Sequence, residues 1–462
     1  MIKLDYKNCL SEKVGPHRIK PQEFEPYFKN FPKIHSTIIK KSQDTSLPLG
    51  WLKLPFDQEV DQINRLATRL RWKFENFVVV GIGGSALGNI ALQSALRDKN
   101  WNSFSKKQRD GWLKLYVLDN IDPTTIKSFL ENVDIKKTVI NVISKAGNTV
   151  ESLATFFILY DALVKKVGTK NVKKHIIIST DKEKGFLREV VNKGLCEESF
   201  VIPSNVGGRF SVLSPVGLVS AACTGIDIKK LLSGAKSMAL SCGINFKKNS
   251  KVKTVNPAYI FATINHILYK KNKKLCVMFS YSDKLYSFAD WFRQLWAESL
   301  GKAKDNTGKI VNIGPTPIKA LGVTDQHSQV QLYREGPNDK LIVFLSVENF
   351  GVEVKIPPFV PQIVGKHYLS GHTLNELIKA EELGTRVSLT KALRPNVTIT
   401  FKKIDEYSVG EFIYMLELAT AYAGEMFNIN AFDQPGVELA KNYTYALLGR
   451  TGYEKFLKEI KE

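Results

Sequence analysis

Three stretches of the chain repeat one pattern: a run of β-branched and apolar residues, a turn of small residues, then a segment of helix length. They are FVVVGIGGSALGNIALQSAL (77–96), TVINVISKAGNTVESLATFFILYDAL (138–163) and LCVMFSYSDKLYSFADWFRQLWAESL (275–300). A strand that is apolar on both faces and is followed by a helix belongs in a parallel sheet covered on both sides. LYVLDN (115–120) and HIIISTD (175–181) read as further buried strands that end in polar residues. The fold class expected is α/β, with parallel sheets flanked by helices. A chain of 462 residues is too long for one compact core and long enough for two domains. Residues 1–45 read as an irregular arm, 46–235 as a first α/β domain, 236–405 as a second, and 406–462 as a helical C-terminal segment. A helix and a basic connector, KKNSKVKTVN (247–256), mark the boundary between the two domains. The last segment reads as two long helices around a Pro-Gly turn.

Lys and Arg number 66 against 45 acidic residues, a formal charge of +21 that draws in anions, small phosphorylated molecules included. The lysines are spread along the chain without an arginine-rich arm, zinc-finger spacing or aromatic RNA-binding signature, which argues for a solvated surface over a nucleic-acid face. Cys9, Cys196, Cys223, Cys242 and Cys276 are scattered and odd in number, so neither a disulfide framework nor a metal knuckle is expected. No run of about 18 apolar residues offers a membrane span, and MIKLDYKNCL lacks a signal core. A cytoplasmic protein without a membrane partner is the expectation.

The first turn, GIGGSALG, satisfies the loose G-x-G-x-x-G/A pattern through Gly81, Gly83 and Ala86. A dinucleotide site would also need an acidic residue about 20 positions further on, and Asp119, the plausible one, lies 33 beyond Ala86. GxxxxGK[ST] is absent, which excludes a P-loop. What remains is a strand end whose glycine amides, with Gly84 and the Ser85 hydroxyl, face an anion at a helix N-terminus. The second turn, SKAGNTVES, adds Ser144, Lys145 and Thr149. Two such turns at the carboxyl ends of parallel strands bracket one crevice, although Ser and Thr at a helix start also serve as plain caps.

Proton-transfer chemistry has its own residue types. In FADWFRQLWAESLGKA, Gln294 and Glu298 sit four apart on one helical face just before a glycine. A carboxylate there meets the negative end of the helix dipole, which favours its use as a base. His327 stands in the polar stretch VTDQHSQVQLYREG, and Lys441 follows the Pro-Gly turn of FDQPGVELAK. Each of the three also has an ordinary structural reading: a paired carboxylate, a loop histidine, a solvated amine.

Together these segments resemble the phosphoglucose isomerase family from about residue 50 to the C-terminus. SNVGGRFSVLSPVG and FDQPGVELAK look like its two signatures, and GIGGSALG, SKAGNTVES, QLWAESLGK and GVTDQHSQ follow in the family's order. The resemblance implies two sugar isomerase domains and a metal-free, cofactor-free aldose-ketose isomerase that interconverts glucose 6-phosphate and fructose 6-phosphate, in glycolysis and gluconeogenesis. It implies ring opening by His327 and Lys441, proton transfer through a cis-enediol by Glu298, and charge stabilisation by Arg209. Phosphate is then held by Gly84, Ser85, Ser144, Lys145 and Thr149, and Gln294 and Gln434 line the site. It further implies a homodimer in which the histidine comes from the partner subunit. Ala146 and Asn148 depart from the hydroxyl residues of the family's pattern, which removes potential phosphate donors. The same residues leave open a sugar-phosphate-binding regulator without the chemistry.

Overall fold

A computed structural model describes residues 1–57, 60–246, 256–358 and 367–461. After a short strand β1 (Lys3–Asp5), the chain forms β2 (Asn76–Val80), β3 (Lys114–Leu118), β4 (Thr138–Ser144), β5 (Ile176–Thr180) and β6 (Glu198–Val201). The last five make one sheet in the order β3-β2-β4-β5-β6, every neighbouring pair parallel. Then come β7 (Leu275–Ser280), the small hairpin β8 (Lys302–Lys304) and β9 (Ile310–Ile313), β10 (Thr316–Leu321), β11 (Lys340–Asn349) and β12 (Asn396–Lys403). The second sheet runs β1-β12-β11-β7-β10, parallel except for β1 at its edge.

The parallel strands of both sheets are wound in the same way: the first laid down lies inside, the second goes to one side, and the third crosses to the other. In the first sheet this puts the topological switch between β2 and β4, whose residues pair from Asn76↔Thr138 to Val80↔Val142. Ligands of doubly wound sheets sit outside the carboxyl ends of the strands at that point. The GIGGSALG and SKAGNTVES turns leave β2 and β4 there, side by side.

Alternation along the strands divides the core. Val78, Val80, Ile140, Val142, Ile176 and Ile178 face helix Val150–Val167 with its Phe156, Leu159 and Leu163. Phe77, Val79, Val139, Ile143 and Ile177 face the other way into a core that also holds Met278, Val343, Leu345, Ile399 and Phe401 of the second sheet. Between them runs helix Glu406–Met426, buried over nearly its whole length from Ser408 to Gly424. It lies so close to helix Ile228–Ser241 that a methyl group on Gly410 would overlap the Leu231 carbonyl oxygen, and one on Gly234 the Tyr407 carbonyl oxygen.

Two expectations about secondary structure are corrected. Most of the N-terminal arm is regular: helix Pro21–Lys41 buries Phe24, Phe31, His35 and Ile38. Its His35 Nδ1 pairs with Tyr422 Oη at 2.6 Å. Pro26 and Pro32 lie inside it; they read as breakers, but the apolar stripe at seven-residue spacing packs strongly enough to override them. The C-terminal segment has one long helix, followed by the 3-10 turn Pro435–Val437 and two short helices, Glu438–Leu447 and Glu454–Lys461. Gly449 and Gly452, both at positive φ, break the second expected helix. Of the basic connector, residues 247–255 lie outside the described residues.

Two stability predictions arise from the central helix. Gly410→Ala forces two helix backbones apart and is expected to cost about 1–3 kcal/mol in denaturant unfolding. Glu417 is fully buried in the same helix, and neither carboxyl oxygen has a hydrogen-bond partner among the described residues. Burial holds its proton affinity well above the ordinary glutamate value of 4.5. Above that pH the unfolded chain releases a proton that the folded chain retains, so stability falls as pH rises. Glu417→Gln is therefore expected to raise the melting temperature at pH 8 and to leave it nearly unchanged at pH 4.

Candidate active site

Arg209 is the meeting point. The guanidinium is 4% exposed, and each of its five N–H donors has an acceptor. Nε donates to Ser299 Oγ at 2.6 Å. Nη1 donates to Glu298 Oε1 at 3.0 Å and to Gln434 Oε1 at 3.1 Å. Nη2 donates to the carbonyls of Ala431 at 2.6 Å and Asp433 at 3.2 Å. Burial pulls the guanidinium below its ordinary value, and Glu298 and Asp433 oppose that shift; an arginine keeps its charge throughout.

Glu298 comes from the last turn of helix Asp283–Leu300, which starts beside β7 in the second sheet. At 1.5 Å per residue, such a helix spans about 27 Å, enough to carry its end to the first sheet. Gln294, one turn earlier, donates Nε2 to Glu298 Oε2 at 3.0 Å. Both carboxylate oxygens are thus oriented, while the side chain stays 28% exposed. The Oε1 atom of Gln294 is buried and has no hydrogen-bond partner among the described residues. A methyl group on Gly83 would come within 3.0 Å of Gln294 Nε2, and Gly83 sits at φ +57°. Only glycine satisfies both demands there.

The two small-residue turns are tied to the arginine segment by different means. A methyl group on Gly84 would overlap the Gly208 carbonyl, so the first turn rests directly on the backbone of GGRFS. Ser85 is half-buried in the 3-10 turn Gly83–Ser85. In the second turn Lys145 donates Nζ to the Val206 carbonyl at 2.9 Å, which turns its amine toward the protein, and burial lowers its proton affinity. Ser144 Oγ lies 2.7 Å from Thr149 Oγ1 and accepts from the Gly147 amide at 3.1 Å. Asn148 accepts the Phe186 amide at 3.0 Å. Neither the helix after β2 (Leu87–Leu96) nor that after β4 (Val150–Val167) is capped by its own N-cap side chain. Their first-turn amides are available to an anion at the crevice.

Two expected site residues stand apart within one chain. His327 is exposed in the 3-10 turn Thr324–His327 that follows β10. Lys441 is exposed on helix Glu438–Leu447, where it pairs with Glu438 at 2.7 Å. Neither bonds to Arg209, Gln294, Glu298 or Gln434 among the described residues. Conversely, Ser299, Lys302 and Asp433 belong to the cluster and were not singled out from sequence. They flank singled-out residues within the same motifs, but nothing in their type or spacing distinguishes a buried anchor from a surface group.

The phosphoglucose isomerase family model matches residues 71–455. The chain is 46% identical to a glucose-6-phosphate isomerase of Carboxydothermus hydrogenoformans over 461 residues, covering 99% of this chain and 97% of that one. It is 37% identical to a glucose-6-phosphate isomerase of Rubrobacter xylanophilus, covering 98% and 99%. Among solved structures, a hypothetical protein from Thermus thermophilus superposes with a TM-score of 0.83 at 32% identity, over 97% of this chain and all of that one. A glucose-6-phosphate isomerase from Chlamydia trachomatis, at 22% identity, shares the fold with a TM-score of 0.71 over 87% of this chain and 75% of that one. On a match of this length and identity, the chain belongs to the phosphoglucose isomerase family.

Proposed function

We propose that the protein interconverts glucose 6-phosphate and fructose 6-phosphate, with the phosphate at the two turns and the reacting carbons at Glu298. The observation that carries this reading is the Glu298 carboxylate. It is oriented by Arg209 and Gln294, partly open to solvent, and next to a crevice with two uncapped helix N-termini. A phosphate monoester needs several donors and no chemistry; carbon 2 of the open sugar needs one base within hydrogen-bond reach. Glu298 takes the proton from carbon 2 and returns it to carbon 1. Arg209, its five donors already engaged by protein acceptors, offers a fixed positive charge to the enediolate oxygens rather than a free hydrogen bond. Gln434, exposed beside Arg209, is placed to meet substrate hydroxyls. Backbone amides do most of the phosphate holding, so Ala146 and Asn148 in place of hydroxyl residues cost little.

Ring opening falls to His327 and Lys441 in this reading. Both are exposed, as groups that complete a site across an interface would be in a single chain. The working unit is a homodimer in which the partner subunit's His327 reaches the Glu298 of this chain. Four of the five cysteines are buried, with thiols that burial pushes up, which suits a reducing, cytoplasmic setting. Among the described residues no helix is long and apolar enough to cross a membrane.

Two experiments test this. Purified protein with a chelator present is expected to form glucose 6-phosphate from fructose 6-phosphate, and Glu298→Gln is expected to lower kcat about a hundred- to ten-thousand-fold while substrate still binds. Turnover by the variant at the normal rate would move the base elsewhere. Separately inactive Glu298→Gln and His327→Ala proteins, unfolded and refolded together, are expected to regain activity, since one site of the mixed dimer is then intact. Failure to recover any would place His327 in the same chain as its Glu298.

A further inference from the structure

Helix Asp283–Leu300 ends in carbonyls that have no intrahelical partner. The Gly301 amide takes the Ala297 carbonyl. The next two belong to Glu298 and its neighbour Ser299, and a single ammonium takes both: Lys302 Nζ donates to Glu298 O at 2.8 Å and to Ser299 O at 2.9 Å. The Lys302 side chain is only 6% exposed, and Nζ lies 3.7 Å from Asp433 Oδ1. Asp433 in turn offers its backbone carbonyl to Arg209 Nη2. One cation thus touches the backbone of the carboxylate residue, the backbone of the serine that receives Arg209 Nε, and the loop that carries Gln434.

Placing a second buried cation beside Arg209 is unfavourable. Burial first, then repulsion from Arg209, pull the ammonium below its ordinary value, while Asp433 and Glu298 oppose this. Simple helix termination does not call for such an arrangement, because a glycine with its amide already ends helices without charge. The ammonium does what a glycine cannot: it cross-links the helix end to the 431–434 segment.

We infer that Lys302 is a positioning residue for proton transfer at Glu298, its buried ammonium clamping the base's own backbone to the Asp433–Gln434 loop and so fixing the carboxylate against Arg209. The inference rests on reading Glu298 as the base. Lys302 touches neither substrate nor reacting atoms; it acts through Glu298 and Arg209. A displacement of about 1 Å at a base can cost on the order of a hundredfold in rate, and phosphate binding at the two turns, which the Lys302 ammonium does not contact, is left intact.

Lys302→Met tests this in the full-length protein, with its fold checked by circular dichroism. Expected are a kcat lowered about ten- to a hundredfold, a KM nearly unchanged, and a larger primary isotope effect with glucose 6-phosphate deuterated at carbon 2. The last readout separates positioning from partial unfolding, because inactive molecules lower kcat without changing the isotope effect. A normal kcat, or a lowered kcat with a wild-type isotope effect, overturns the inference. Should Lys302→Met not fold, Lys302→Gln, which keeps a donor and loses the charge, is expected to show the same lowered kcat and raised isotope effect; wild-type values in it would be equally fatal. Glu298→Gln measured alongside separates the two levels. If it is inactive while the Lys302 variant behaves normally, only the role of Lys302 falls. If it turns over normally, the base assignment falls, and the positioning role with it.

Discussion

A buried guanidinium is expensive unless every donor is met, and the organisation of this protein around Arg209 follows from that requirement. Its five acceptors come from two places far apart in sequence, the end of helix Asp283–Leu300 and the segment 431–434. Its own backbone rests against Gly84. Satisfying one side chain therefore pins together a turn of the first sheet, a helix that begins in the second, and the exit of the central helix. Four of the five acceptors are neutral, and the single charged one is Glu298. The same contact that neutralises Arg209 orients the carboxylate, so one ion pair serves both the packing of the arginine and the placement of Glu298.

The two sheets share a winding order but differ at their switch points. At the first, between β2 and β4, glycines and uncapped helix starts leave donors open. At the second, between β7 and β11, side chains close on one another: Ser346 Oγ donates to the buried Glu382 at 2.7 Å and Tyr281 Oη donates to Gln326 at 2.8 Å. The Tyr281 ring lies where a methyl group on Gly322 would go. Polar groups that pair internally gain nothing from a ligand. These pairs of the second switch point are thus spent within the protein, and the second sheet launches the helix that delivers Gln294 and Glu298.

How far the sequence reveals this depends on whether an interaction is local. Strands and the helices that follow them are written in runs of Val and Ile and in small-residue turns, and these elements stand where the pattern puts them. Gln294 and Glu298 are legible because four-residue spacing on a helix makes them neighbours. Long-range demands are not. Pro26 and Pro32 argue locally against a helix that tertiary packing nonetheless supports. Gly234 and Gly410 look like poor helix residues until two backbones are seen to touch. Lys302 is one lysine among many, and only its contacts with the Glu298 and Ser299 carbonyls and with Asp433 set it apart. The exposed positions of His327 and Lys441 likewise carry no local mark that tells a solvated side chain from one awaiting a partner.

Charge supplies the last link between the chain as a whole and its crevice. The formal +21 is spread over the surface, whereas the cluster itself is balanced: Arg209 and Lys302 face Glu298 and Asp433. A positive field beyond the site raises the encounter rate of a phosphate dianion, and its reach shortens to about 8 Å at physiological ionic strength. Arg209 and Lys302 are buried, whereas Glu298 keeps 28% and Asp433 49% of its side chain exposed, so the acidic half of the cluster is the half that meets solvent. A net charge of this size is therefore compatible with an active site whose own groups nearly cancel.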